Sequence, residues 1–166
     1  IGRLVKNKNF FTLLDAVNMI KNQLELRLTI VGDGELKDEI SKQIREYKLE
    51  KICLLIPFTN NLEKYYQNAD IYISTSLHES FGNTLVEAMH FNLFIISTDC
   101  PYGPREILNN GEYGILTKPG SSKELANAIL KTTRKAKPPN YKEYLNKYGD
   151  KFILKEYKKI FRIYSW

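Results

Sequence analysis

Hydrophobic and polar positions follow two different periods along this chain, and stretches of the two periods alternate. Short apolar runs, such as those at 26–31 and 94–98, are typical of buried strands. Between the runs, apolar residues recur every three or four positions, as they do from Phe10 to Ile20, which is typical of helices with one buried face. Strands that alternate with helices predict βαβ units. We therefore expect an α/β fold: a Rossmann-like parallel sheet with helices on both faces.

The same pattern places the individual elements. It predicts strands over 26–31, 52–56, 70–74, 94–98 and 115–117, with Ile1 as the end of a further strand. It predicts helices that carry Phe10–Ile20, Leu36 to Tyr47, 62–67, the stretch from Asn83 to Met89, 105–108, and Leu125 to Ile129. Ser121 and Glu124 have the spacing of a capping box at the start of the last of these helices. Beyond the paired Pro138 and Pro139, tyrosine-rich helical stretches are expected, and the last runs over 152–166.

The strand at 70–74 leads through a polar turn to Gly82, and a helix begins at Asn83. A helix start leaves backbone N–H groups without acceptors at the positive end of the helix dipole. Such a start binds anions, most often phosphate, and glycine lets a ligand approach the backbone closely. Glu79 and Glu87 lie on either side of Gly82 with seven residues between them. They could accept hydrogen bonds from the hydroxyl pairs of a ligand, or they could be solvated surface charges.

Composition and charge narrow the class of protein. The chain has 166 residues, 43% of them hydrophobic, which fits a single globular unit. A net charge of +6, concentrated over 131–162, would attract phosphate ligands, nucleic acid or anionic lipid alike. Cys53 and Cys100 show neither a disulfide nor a metal-binding pattern, and no apolar run is long enough to span a membrane. We expect a cytoplasmic location, and the opening without Met suggests a piece of a longer protein.

Two groups of residues carry a resemblance to a known family. The segment 79–89, ESFGNTLVEAM, resembles the E-x7-E signature of family 4 retaining glycosyltransferases, in the donor-binding half of the GT-B fold. Gly2, Arg3 and Leu4, followed by Lys8, match that family's G-R-L pattern with its later lysine. Gly32 and Gly34 do not belong to a dinucleotide fingerprint, because Lys37 stands where the third glycine would be. Asn92 replaces a family glycine and is expected to adopt the same left-handed conformation.

The resemblance implies a role for each residue of the site. The expected catalytic residues are Arg3, Lys8 and Glu79; the two cations stabilise the diphosphate, and Glu79 holds the donor sugar. Glu87 would bind the ribose hydroxyls. The other expected donor-binding residues are Gly2, Gly32, Gly34, Phe58, Leu62, Phe81, Gly82, Asn83 and Thr84. Among these, the loop with Phe58 reads the base and Leu62 packs on the nucleoside. No metal and no cofactor beyond the donor substrate are expected.

The resemblance also implies a function. The chain would transfer a sugar from a nucleoside diphosphate sugar, most often a UDP-sugar, to a glycan or lipid-linked acceptor. The stretch 99–108 resembles enzymes of bacterial surface polysaccharide, lipopolysaccharide and capsule synthesis. We expect a nucleotide-sugar-binding domain over 1–134 and C-terminal helices over 135–166 that pack toward a missing N-terminal acceptor domain. Without that domain the fragment should be inactive. Peripheral association with the cytoplasmic face of the inner membrane is consistent with the charge, and nucleic acid is not an expected partner.

Two alternatives stay open at this point. The basic C-terminal stretch could make the chain a membrane-surface or polyanion-binding module, whose binding would weaken steeply with salt. The chain could also belong to another GT-B enzyme, such as a nucleotide-sugar epimerase.

Overall fold

A computed structural model describes residues 1–133 and 137–148 and shows alternating strands and helices. In chain order the elements are α1 Phe10–Ile20, β1 Leu28–Val31, α2 Lys37–Glu46, β2 Cys53–Ile56, α3 Glu63–Gln67, β3 Ile71–Ser74, α4 Asn83–His90, β4 Phe94–Thr98, α5 Pro104–Ile107, β5 Ile115–Thr117 and α6 Ser122–Thr133. Short 3-10 turns lie at Lys6–Lys8, Asn109–Gly111 and Tyr144–Tyr148. The strand pairs β1–β2, β3–β4 and β4–β5 are all parallel. The predicted α/β class is confirmed.

Hydrogen bonding divides the described strands into two parallel sheets. One sheet contains β1 and β2, and the other contains β3, β4 and β5 in that order. A cavity of about 1040 Å³, lined by both β1 and β3, lies between the sheets. Ile1 contributes to this lining but is not part of a strand, so its prediction as a strand end is wrong. The next residue lies beside the end of β1, where the Gly2 N–H donates to the carbonyl of Val31 at 3.0 Å.

Two hydrophobic cores lie on the two faces of the three-stranded sheet. Successive side chains of a strand point to opposite faces, and β4 supplies one residue to each core. Ile96 belongs to a core with α1, α2 and α6, whereas Ile95 belongs to a core with α3, α4 and Tyr141. Both isoleucines are fully buried. The prediction of helices on both faces is therefore confirmed.

Element boundaries differ from the predictions where pairing or capping decides them. The strands β1 and β2 begin at Leu28 and Cys53, which are the first residues in register with each other, so the predicted starts at 26 and 52 are too early. Only half of the capping box forms, because the Glu124 N–H donates to Ser121 Oγ at 3.3 Å without the reverse bond. The Ser121 N–H donates to the carbonyl of Lys118, and the Glu124 carboxylate accepts from the Lys118 N–H.

Asn92 has the expected left-handed backbone, with φ 57°. It ends α4 tightly, and the chain returns directly into β4.

The described part of the C-terminal segment packs onto this same unit. Tyr141 is buried, and its hydroxyl donates to the carbonyls of Leu93 at 2.9 Å and Tyr113 at 3.3 Å. The predicted helix over 152–166 lies outside the described residues. The predicted packing of this helix toward a second domain stays a prediction, and so does the predicted domain boundary at residue 134. None of the helices within the described ranges has the length and hydrophobicity needed to cross a membrane.

Candidate functional site

The predicted site residues lie at the carboxyl ends of the parallel strands. The turn 32–34 follows β1, the loop 57–62 follows β2, and the loop 75–82 follows β3. Parallel strands end at one edge of a sheet, and ligands of α/β proteins gather at that edge. Asn83, Thr84 and Glu87 lie on α4, which follows the last of these loops. The other predicted residues lie on the loop 2–8 before α1, which we call the cation loop because it carries Arg3 and Lys8.

The cation loop packs directly on the turn after β1. The Leu4 N–H donates to the carbonyl of Asp33 at 2.8 Å, and the Leu36 N–H donates to the carbonyl of Leu4 at 3.0 Å. A Cβ added at Gly32 would lie 1.9 Å from the carbonyl oxygen of Gly2, so only glycine allows this approach. The structure thus brings Gly2, Gly32 and Gly34 together at this edge of the sheet.

The cation loop is also joined to the loop after β3, through residues that the sequence did not single out. The Asn7 side chain donates to the carbonyl of His78 at 2.8 Å and accepts from the His78 N–H at 3.1 Å. The Leu77 N–H donates to the carbonyl of Asn7, and Thr75 Oγ1 donates to the carbonyl of Lys8, both at 2.8 Å. No short-range pattern marks these contacts, because their partners are about seventy positions apart in the chain.

Two of the predicted catalytic residues form an ion pair. Lys8 Nζ lies 2.5 Å from Glu79 Oε1, and the two side chains are only 24% and 12% exposed. The buried Ser76 hydroxyl donates to the same carboxylate oxygen at 2.6 Å. Charge-assisted hydrogen bonds of this kind are short and strong. They fix the Glu79 carboxylate and hold the Lys8 ammonium beside it.

The start of α4 presents backbone N–H groups to this edge of the sheet. Gly82 is the N-cap residue, with φ 104°, and it provides no side-chain hydrogen bond to the helix. The first amides of a helix have no acceptor within it, so those of Asn83 and Thr84 suit an anionic ligand. Asn83 is exposed and Phe81 is 37% exposed, so the start of α4 is open to solvent.

Glu87 lies one turn into α4 and is held from below by a tyrosine. The hydroxyl of Tyr66, on α3, donates to Glu87 Oε2 at 2.7 Å. Tyr66 is 3% exposed. No sequence motif singles out Tyr66, and its helical spacing indicates only a core position.

The other predicted residues are positioned more loosely. Arg3 is exposed and forms no ion pair with any residue in 1–133 or 137–148. Phe58 is 67% exposed on the loop after β2, and Leu62 packs partly buried against the core that contains Tyr66. The fold therefore gathers the cation loop, Glu79 and the α4 start closely, and leaves Arg3 and Phe58 at the surface.

Burial keeps the tyrosine hydroxyl beneath the site protonated. Desolvation, and to a lesser extent the negative charges of Glu79 and Glu87, raise the pKa of Tyr72. In the turn after β1, the Gly34 N–H and then Lys37 lower the pKa of Asp33. Within the described parts of the chain, no cluster of three His, Cys, Asp or Glu side chains could hold a metal ion.

The fold is that of a GT-B glycosyltransferase domain. The model of the family described as glycosyl transferases group 1 matches residues 1–152. The chain belongs to this family.

Relatives in this family act in bacterial glycan synthesis. One is N-acetylgalactosamine-N,N'-diacetylbacillosaminyl-diphospho-undecaprenol 4-alpha-N-acetylgalactosaminyltransferase of Campylobacter jejuni, which is 36% identical over 71% of this chain and 32% of its own. Another is the amylovoran biosynthesis glycosyltransferase AmsD of Erwinia amylovora, which is 35% identical over 68% of this chain and 32% of its own. The chain thus spans about a third of the length of these relatives.

Solved structures show the same fold. HepE from Anabaena, in complex with UDP and glucose, aligns with a TM-score of 0.74 at 29% identity, over 81% of this chain and 38% of HepE. The lipopolysaccharide outer core galactosyltransferase WaaB aligns with a TM-score of 0.84 at 24% identity, over 97% of this chain and 47% of WaaB.

Proposed function

We propose that this chain is the donor-binding part of a retaining glycosyltransferase. It binds a nucleoside diphosphate sugar, preferentially a UDP-sugar, whose sugar is transferred to a glycan or lipid-linked acceptor in bacterial surface-glycan synthesis. The acceptor is held by a second domain, at the cytoplasmic face of the membrane where lipid-linked acceptors are reached.

One observation carries this proposal: Lys8 and Glu79 are in contact next to the open start of α4. A sugar diphosphate has hydroxyls that a carboxylate binds and, next to them, phosphates that an ammonium and helix amides bind. Glu79, Lys8 and the amides of Asn83 and Thr84 supply these groups in that order. The names of the relatives and the UDP complex of HepE support the donor class and the kind of acceptor.

The chemistry requires charge stabilisation at the leaving group. When the bond between the anomeric carbon and the phosphate oxygen breaks, the nucleoside diphosphate leaves with the bonding electrons and gains negative charge. Lys8, Arg3 and the α4 dipole stabilise that charge where it develops. Glu79 positions the sugar, and Lys8 and Ser76 hold its carboxylate in place for that role.

Calorimetric titration of UDP, GDP and ADP into the chain tests the proposal. We expect UDP to bind most tightly, and Glu87→Gln to weaken it by roughly tenfold, the usual size for loss of one charged hydrogen-bonding partner. Glu50→Gln is the matched control, because Glu50 is exposed and precedes β2, at the edge of the sheet opposite the site. Arg3→Ala should also weaken UDP. If no nucleotide binds, or if binding is lost with salt and is indifferent to Glu87→Gln, the donor-site assignment is wrong and a polyanion-binding module takes its place.

A further inference from the structure

Tyr66 and Glu87 are joined across two helices that meet under the candidate site. The Tyr66 hydroxyl donates to Glu87 Oε2 at 2.7 Å, with the tyrosine on α3 and the glutamate on α4. Tyr66 is buried, whereas Glu87 is only partly buried. A buried phenol needs a hydrogen-bond partner. Here the acceptor is a side chain of the site itself rather than a backbone carbonyl.

The ring of Tyr66 is held on two sides by other aromatic rings. It stacks on Phe91 with the ring centroids 5.2 Å apart and an interplanar angle of 6°, and it meets the buried Tyr72 at 6.1 Å and 43°. A tyrosine has only two side-chain torsions, so packing of its ring fixes its hydroxyl. The hydroxyl is therefore the rigid partner, and the longer, more exposed glutamate side chain is the one whose position is set.

The hydrogen bond occupies only part of the carboxylate. An ionised carboxylate has two oxygens and about four acceptor positions. Tyr66 uses one position on Oε2, and within the described residues no hydrogen bond reaches Oε1. A vicinal diol needs two acceptors at a fixed spacing, and a carboxylate held in one rotamer meets that need without losing conformational freedom on binding.

We propose that Tyr66 is a positioning residue that fixes the Glu87 carboxylate for the ribose hydroxyls of the bound nucleotide. This inference rests on the proposed function, since it assumes a nucleotide at this edge of the sheet. It goes further in naming the group outside the ligand contact on which ribose recognition depends. A purely structural tyrosine would stabilise the fold without affecting the choice between ribose and a sugar that lacks its hydroxyls.

The test compares UDP with its 2′,3′-dideoxy analogue in calorimetric titrations of the wild type and of Tyr66→Phe. Phenylalanine keeps the stacked rings and removes only the hydroxyl. We expect the wild type to prefer UDP, and Tyr66→Phe to weaken UDP by roughly fivefold to tenfold, the usual effect of losing one hydrogen bond. Binding of the dideoxy analogue should not change. Tyr65→Phe, the same substitution at the preceding position of the same helix, should leave both affinities as they are.

Each other outcome has a distinct meaning. If Tyr66→Phe binds both ligands as the wild type does, or weakens both equally, the positioning role is wrong. If the wild type binds neither ligand, the proposed function is wrong. If it binds both equally well, the contact between Glu87 and the ribose is wrong. A double variant guards against general loss of stability: in a Glu87→Gln background, Tyr66→Phe should have no further effect on UDP affinity, and an unchanged effect there would overturn the proposal.

Discussion

The ammonium of Lys8 has a partner before any ligand binds. Its contact with Glu79 is largely shielded from water, and each charge would be costly to leave there alone. A diphosphate adds negative charge beside the ammonium, and a sugar hydroxyl can donate to the carboxylate, so donor binding extends the ion pair at both ends. Under the proposed function the pair therefore prepares the site, whereas Arg3 remains at the surface and is free to move toward a ligand.

Replacing Lys8 by Met tests this preparation. We expect UDP affinity to fall by roughly tenfold or more, the size typical of a charge-assisted hydrogen bond. Stability should fall as well, because the carboxylate of Glu79 loses its cation. Lys6→Met is the matched control, since Lys6 lies on the same 3-10 turn and is exposed. Calorimetry and urea denaturation measure the two effects, and equal losses in both variants would contradict a specific role for Lys8.

Asn7 is the residue that holds the cation loop against the loop after β3. Replacing it by Ala removes two hydrogen bonds to the backbone of His78. We expect a loss of about 1–2 kcal/mol in the free energy of unfolding and weaker UDP binding, although Asn7 is not placed on the ligand. Asn22→Ala, at an exposed position after α1, serves as the comparison in urea denaturation. A variant at Asn7 with unchanged stability and affinity would show that the two loops keep their positions without it.

At the scale of elements, local patterns predicted most of the fold. Helix α4, strand β4 and strand β5 begin where the sequence indicates, because glycine, asparagine and apolar periodicity act within a few residues. The contacts that complete the site are different in kind. Asn7, Ser76 and Tyr66 act on partners brought close only by the packing of whole elements. The sequence predicted a parallel sheet, whereas the described strands form two parallel sheets. No local pattern specifies which strands pair with each other.

The loop after β4 supports the E-x7-E segment through one close packing contact. Gly103 has φ 84°, and a Cβ there would lie 1.7 Å from the carbonyl oxygen of Phe81. The neighbouring bond from the Glu79 N–H to the carbonyl of Pro101, at 3.4 Å, joins the same two loops. Any side chain at 103 must therefore push the start of α4 away from its place.

Comparison of two glycine variants isolates this contact. Gly120 also has a positive φ, 76°, but a Cβ there has nothing within 4 Å. We expect Gly120→Ala to cost about 1 kcal/mol, from backbone strain alone. Gly103→Ala should cost roughly 2 kcal/mol more, because its side chain also overpacks against the backbone of Phe81, and it should also weaken UDP binding. Urea denaturation measures the difference, and equal losses would mean that the loop yields without disturbing α4.

At the scale of the whole molecule, several ionisable side chains are buried in the two cores and stay protonated there. Burial raises the pKa of Cys53 to about 12, from an ordinary value of 9.0. It also raises the pKa of Tyr66 and of Tyr141 from 10.0. Cys53 lies in the core beside α1 and α2, and both tyrosines lie in the core on the other face. In the folded protein each of these groups holds its proton more tightly than in the unfolded chain.

Linkage then fixes the direction of the pH dependence. Well below pH 9 the Cys53 thiol is protonated in both the folded and the unfolded protein, so its ionisation does not affect the free energy of unfolding. As the pH rises from 9.0 toward about 12, the unfolded chain releases this proton and the folded protein does not, so the free energy of unfolding decreases. The tyrosines add a further decrease in the free energy of unfolding that begins near 10.0.

Replacing Cys53 by Ala removes the contribution of the thiol and keeps that of the tyrosines. Urea denaturation between about pH 8 and pH 10.5 should therefore show the wild type more stable at the lower end, because alanine leaves a cavity, with a gap between the two proteins that narrows above 9.0. A gap that stayed constant over this range would mean that the Cys53 thiol ionises as easily in the core as in the unfolded chain.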